Sequence, residues 1–204
     1  MNPVAPEAVR LATVGRGLLF TEAHTVKRFS STPVDDERLT EIRDLAKWPP
    51  TSSNLQPLRV LFVRTPAGFG RLLPHLPERN RAQSESAPVT AVLALDRDYH
   101  EHADLVAPHI PRLKDHLVAD DAARLDLGRF SAALRAGYFV LAVRAAGLHA
   151  GPMGGFDRDG VDREFFPDGR FTSLLLVNIG HPDGEDPWRE RQARLPADET
   201  LRWT

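Results

Sequence analysis

The chain has no cysteine among its 204 residues. Thiolate nucleophiles, disulfides and Cys-ligated zinc or iron–sulfur centres are thereby excluded. Lysine is scarce: only Lys27, Lys47 and Lys114 occur, so arginine carries most of the basic charge. The formal net charge is −2, too small for a global field that would recruit nucleic acid or an anionic membrane. No apolar run reaches membrane-spanning length, and the opening MNPVAPEAVR lacks the basic-then-apolar order of a secretory signal. The expectation is a soluble, cytoplasmic protein with no nucleic-acid or membrane partner. Internal repeats and linkers are also missing, which points to a single domain over residues 1–204. At 42% hydrophobic residues, the chain can bury a sizeable core.

What is present reads as helices and strands mixed without regular βαβ alternation, an α+β class. Residues 6–21 suggest a helix weakened by Gly15 and Gly17. TPVDDERLTEIRDLAKW suggests a firmer one, with an Asp pair at its N-cap and Leu39, Ile42, Leu45 and Ala46 on one face. A strand is expected at 59–64, a helix around 66–73 and a buried strand at 87–96. Residues 97–127 read as helical pieces and exposed loops. Residues 129–146 read as a helix apolar nearly all round, and so deep in the core. GLHAGPMGGFD reads as a glycine-rich loop leading to a short helix at 157–165, and FTSLLLVNIG as a strand.

Several familiar chemistries fail on context. The glycines at 147, 151, 154 and 155 do not space as G-x-G-x-x-G, a helix precedes them, and no G-K-[ST] follows. They still offer a backbone that another group can approach closely, although a helix C-cap and turn would use glycine too. His100, His102 and His109 lie in a charged segment that reads as solvated surface rather than a set of convergent metal ligands. There is no G-x-S-x-G elbow for a catalytic serine. His24, Lys27 and Arg28 near the start, and Arg189, Arg191 and Arg194 near the end, each read as surface charge alone; together they could bracket one phosphate. PPTSSNLQP at 49–57 is unusual for a helix-to-strand connection. It sets three hydroxyls and two amides on a stiff, proline-bounded backbone.

Taken in order, HTVKRF…TPV, PPTSSNLQP, GPMGGFD, VNIG and RQARLP resemble the FMN-dependent nitroreductase family, nearest to its malonic semialdehyde reductase branch. The resemblance spans about residues 20–196. It implies a nitroreductase-like fold, a mixed sheet flanked by helices, and a homodimer with FMN at the interface. It implies FMN and NAD(P)H as cofactors and ping-pong hydride transfer to a small acceptor, either a 3-oxo acid or aldehyde or a nitroaromatic or quinone. No catalytic side chain and no metal are implied. Thr51, Ser52, Asn54 and Gln56 fall on the motif that lies along the flavin ring and ribityl chain. Pro152, Met153, Gly154 and Gly155 match the segment facing flavin N5. His24, Thr25 and Lys27 match the first motif, with His24 where relatives carry Arg, and Arg191 and Arg194 match the phosphate-binding tail. Two rival readings remain open: a flavin-binding protein of the same fold without useful turnover, and a non-flavin α+β interaction protein.

Overall fold

The computed structural model describes residues 10–184 and 191–204. Nine helices and four strands occur among them: α1 (Thr13–Arg16), α2 (Asp36–Ala46), β1 (Leu58–Val63), α3 (Pro66–Leu72), α4 (Glu78–Glu85), β2 (Val89–Asp96), α5 (Ala103–Val106), α6 (Leu113–Ala119), α7 (Asp121–Ala145), β3 (His149–Met153), α8 (Arg158–Phe165), β4 (Phe171–Gly180) and α9 (Ala197–Thr200). The sheet order is β1-β2-β4-β3. Every pairing is antiparallel, where a mixed sheet was expected.

Each face of the sheet carries its own core. Ala91, Leu93, Leu95, Val177 and Ile179 pack with Ile42 of α2 and Phe139 and Val143 of α7. Val92 and Leu176, one residue out of phase, turn the other way. They join Leu72, Leu76, Met153 and Val161. β2 is therefore apolar at successive positions because both of its faces are covered. One buried carboxylate interrupts this pattern at the end of β2. Asp96 meets Arg59 at 2.7 Å and Arg170 at 3.1 Å, fixing β1 and β4 beside it.

α2 begins as the sequence suggests: Asp35 accepts from Arg38 N–H at 2.7 Å. Other expectations need correction. The helix over 6–21 reduces, among the described residues, to α1 and a π-type turn at Gly17–Thr21; residues 6–9 lie outside the described residues. α7 starts eight residues before the expected 129, because Asp120 caps it by accepting from Ala123 N–H at 2.9 Å. Nor does that helix lie wholly in the core: Phe130, Leu134 and Tyr138, spaced by four, share an exposed face. Part of the expected glycine-rich loop is strand β3, paired along β4 from His149↔Gly180 to Met153↔Leu176.

The histidine segment is not wholly solvated surface either. Tyr99 and His100 are buried, and the His100 Nδ1 meets no hydrogen-bond partner among the described residues. Burial first, and Arg124 second, push the His100 pKa below the ordinary histidine value. The unfolded chain then takes up this proton at higher pH than the folded one, so folding stability falls as pH drops through the unfolded value of about 6.5. The urea midpoint is expected to decline on acidification through that window, and to decline less in His100→Gln. An identical slope in the variant would assign the pH dependence to other groups.

Candidate functional site

Residues 22–29 cross the edge strand β3. A Cβ at Gly151 would lie 2.8 Å from the Val26 carbonyl oxygen, so this close approach requires glycine. Val26 and Phe29 are buried, Phe29 bridges to Pro182, and Phe29 N–H donates to Ser86 Oγ at 3.2 Å. These anchors hold the intervening polar residues in place. Thr25 is half-buried beside Val26. Lys27 Nζ donates to Gln83 Oε1 at 3.3 Å on α4. One helical turn earlier, Asn80 Nδ2 donates to the Gly155 carbonyl at 2.6 Å. α4 thus ties the first basic segment to the glycine pair after β3.

Gly154 and Gly155 are exposed, and a Cβ at Gly154 would meet no atom of the described residues within 4 Å. Open space above a glycine backbone admits a planar group. Pro152 is half-buried opposite Val177. The Met153 side chain faces inward, with its sulfur 4.0 Å from Ser84 Oγ and 3.9 Å from Asn178 Nδ2. Only its backbone remains for a ligand.

A second group of cations gathers at the C-terminal end of α7. Arg191 Nη2 donates to the Ala23 carbonyl at 3.0 Å, which pins the tail beside His24. Arg144 Nη1 donates to the Leu19 carbonyl at 2.9 Å, while its buried Nε has no hydrogen-bond partner among the described residues. Burial, with Arg191 adding repulsion, lowers the Arg144 pKa. His24 and His149 stand with ring centroids 6.3 Å apart. His24, Arg144, His149 and Glu22 help line a cavity of about 250 Å3. Arg194 is turned back on its own tail, donating to the Gln192 and Ala193 carbonyls. Arg144 escapes a reading of the sequence because it looks like one polar break in an apolar helix; only the fold brings it to Arg191.

The 51–56 loop lies elsewhere. Ser52 N–H donates to Ser131 Oγ on α7 at 3.3 Å, and Asn54 Nδ2 to the Val106 carbonyl at 2.8 Å. Thr51 Oγ accepts from Gln56 N–H, and Asn54 Oδ1 from Gln56 Nε2, both at 3.2 Å. Ser53, Asn54 and Gln56 all have positive φ, at 48°, 57° and 50°. Three non-glycine residues in the left-handed region store strain that the surrounding bonds must offset, a pattern found at ligand clamps.

One chain therefore holds the motif residues in two separate groups. Ser131, which holds the loop, precedes Arg144 by thirteen residues, roughly 20 Å along a helix. The loop packs by α7 on one face of the sheet, while Gln83 and Asn80 belong to α4. That helix reaches the other face, where Ser84 Oγ donates to Asn178 Oδ1 at 3.1 Å.

Comparison with known proteins gives this arrangement a family. The sequence profile of the nitroreductase family matches residues 21–181. A Streptomyces coelicolor protein named as an NADH dehydrogenase/NAD(P)H nitroreductase is 51% identical over 194 residues, covering 95% of this chain and 96% of that protein. A Leptothrix cholodnii protein of the same designation is 42% identical, covering 92% and 95%. The fold is similar to a nitroreductase family protein of Streptococcus pneumoniae, with TM-score 0.79, 25% identity and coverage of 91% and 98%. It is also similar to a nitroreductase of Exiguobacterium sibiricum solved in complex with FMN, with TM-score 0.80, 19% identity and coverage of 97% and 100%. The chain belongs to the nitroreductase family.

Proposed function

We propose that the protein is an FMN-dependent NAD(P)H oxidoreductase that works as a homodimer, with each flavin held between two subunits. The observation carrying this reading is the division of the motif residues into two half-sites. Lys27, Gly154 and Gly155 gather by α4, and the 51–56 loop is held by α7 and Val106. A second copy would set its own 51–56 loop against the first copy's cations. The exposed stripe Phe130, Leu134 and Tyr138 on α7 supports such a partner, since a contiguous apolar face in water marks an interface.

The donor set fits FMN. Arg144, Arg191 and His24 would hold the phosphate, with Arg194 available from the tail. The buried Arg144 Nε, which has no partner among the described residues, is suited to an anion. Thr51, Ser52, Asn54 and Gln56 would orient the ring and ribityl chain, and Gly154–Gly155 would leave one ring face open. When bound, FMN supplies the reversible hydride chemistry that links a reduced nicotinamide to an acceptor. Lys27 would favour the anionic reduced form through its positive charge. The strained loop would limit motion of the ring's polar edge. No side chain in these half-sites is assigned proton transfer. The acceptor class we favour is a small 3-oxo acid or aldehyde, as the malonic semialdehyde reductase resemblance implies, with nitroaromatics and quinones accepted in vitro.

The loop tests the assignment. Asn54→Ala is expected to weaken FMN by about 0.5–1.5 kcal/mol through loss of loop order. The thermal midpoint of the apoprotein should stay near wild type, since Asn54 is exposed. Fluorescence titration of FMN reads this directly, and unchanged affinity and reduction rate would remove Asn54 from the site.

A further inference from the structure

A cavity of about 410 Å3 opens between α2, β1, α5 and α7. Its wall carries Arg43, Lys47, Arg59 and Arg135 and includes no Asp or Glu. Leu58, Val60 and Phe62 of β1 make it apolar beneath those cations. Three of the cations have carboxylate partners: Arg43 and Lys47 share Asp44, and Arg59 meets Asp96. Arg135 is different. It is only 7% exposed, and its Nε and Nη2 donate to the Ala46 carbonyl at 3.3 and 2.9 Å. It forms no ion pair among the described residues. A guanidinium this buried, with only a neutral acceptor in reach, lacks the counter-charge that buried cations normally require. Burial, together with Arg59 and Arg43, accordingly lowers its pKa.

We infer that this cavity is a binding site for a small monocarboxylate with a compact apolar body, its carboxylate held by Arg135 and the cations around it. A carboxylate matches the planar guanidinium and supplies the absent charge. The β1 side chains match the apolar body, and the volume is within the range of small-molecule pockets. The site does not depend on flavin. It borders the end of the 51–56 loop, because Leu55 and Gln56 line the cavity and the Gln56 carbonyl accepts from Arg59 Nη1 at 2.8 Å.

Calorimetric titration of the purified protein with hexanoate and benzoate, each against its neutral amide, tests the inference. The acids should bind at least about tenfold tighter than the amides, the effect of one charge-assisted bond. Arg135→Gln should remove that preference. Arg43→Gln combined with Lys47→Gln alters only the exposed rim and should weaken the acids while the fold, read by circular dichroism, is unchanged. Bound flavin should keep its absorbance throughout. Equal binding of acid and amide would make the cavity merely apolar and overturn the assignment. Tighter binding of inorganic phosphate, expulsion of flavin by the acids, or no binding at about 10 mM, a concentration at which even millimolar ligands register, would overturn it as well.

Discussion

Gly154→Val is expected to cut flavin reduction by NAD(P)H by about 10²-fold or more, the usual consequence of displacing reacting partners by an ångström or so. FMN affinity should change far less. Both expectations rest on one observation: a Cβ at Gly154 would meet nothing within 4 Å. An added Cβ there meets no atom of the described residues, so the fold and the resting site are expected to tolerate a side chain. The branched side chain instead occupies the open space that a nicotinamide would need above the ring. Gly154→Ala should show a smaller loss, which separates steric exclusion from a general backbone effect. The measurement is stopped-flow bleaching of the bound flavin under anaerobic conditions, paired with FMN titration. A wild-type bleaching rate in Gly154→Val would place hydride entry elsewhere. Gly151 makes a useful contrast. Its Cβ would press on the Val26 carbonyl at 2.8 Å, so Gly151→Ala should loosen the 22–29 segment and weaken FMN itself.

The second large effect concerns the phosphate. The family resemblance implies an arginine at the position of His24, and neutral imidazole cannot replace a bidentate guanidinium. We propose that Arg144 would fill that need from a different element. It sits within electrostatic reach of Arg191, and both lie beside the 22–24 segment. Arg144→Ala and Arg191→Ala are each expected to weaken FMN by about 1.5–3 kcal/mol, roughly one to two decades in dissociation constant. The double variant should lose less than the sum, because the two cations would share one ligand. Arg194→Ala should do less than either, since Arg194 binds its own tail carbonyls. If the dimer is assembled around the flavin, the weakened variants should also dissociate at higher protein concentration, by mass action. Fluorescence titration with sedimentation reads both quantities. Wild-type affinity in Arg144→Ala would return the phosphate to the tail arginines alone.

Much of this was legible in the sequence, and the reason differs by element. α2 was readable because its cap and its 3.6-residue apolar spacing agree. β2 was readable because strands covered on both faces are continuously apolar. The start of α7 was not, since Asp120 and the charged residues after it resemble any surface loop until their cap is seen. β3 was hidden for another reason: HAGPM has little strand propensity, and its pairing is set by β4 and by the close approach of Val26. The binding motifs were legible as types of residue. Their arrangement was not, because no spacing rule places 51–56 and 24–27 in two separate groups. Arg135 and Arg144 are the clearest gaps. Each reads as a helical arginine, and only the fold gives one a cationic cavity and the other a place beside Arg191.

The most direct test of the central claim is the visible spectrum of the purified protein after incubation with FMN and removal of free flavin, followed by anaerobic addition of NADH and of NADPH. The account predicts a yellow protein, with flavin in proportion to subunits, that bleaches with at least one nicotinamide and regains colour when a small aldehyde, quinone or nitroaromatic acceptor is added. A protein that remains colourless, or one that holds FMN but bleaches with neither nicotinamide, would contradict it.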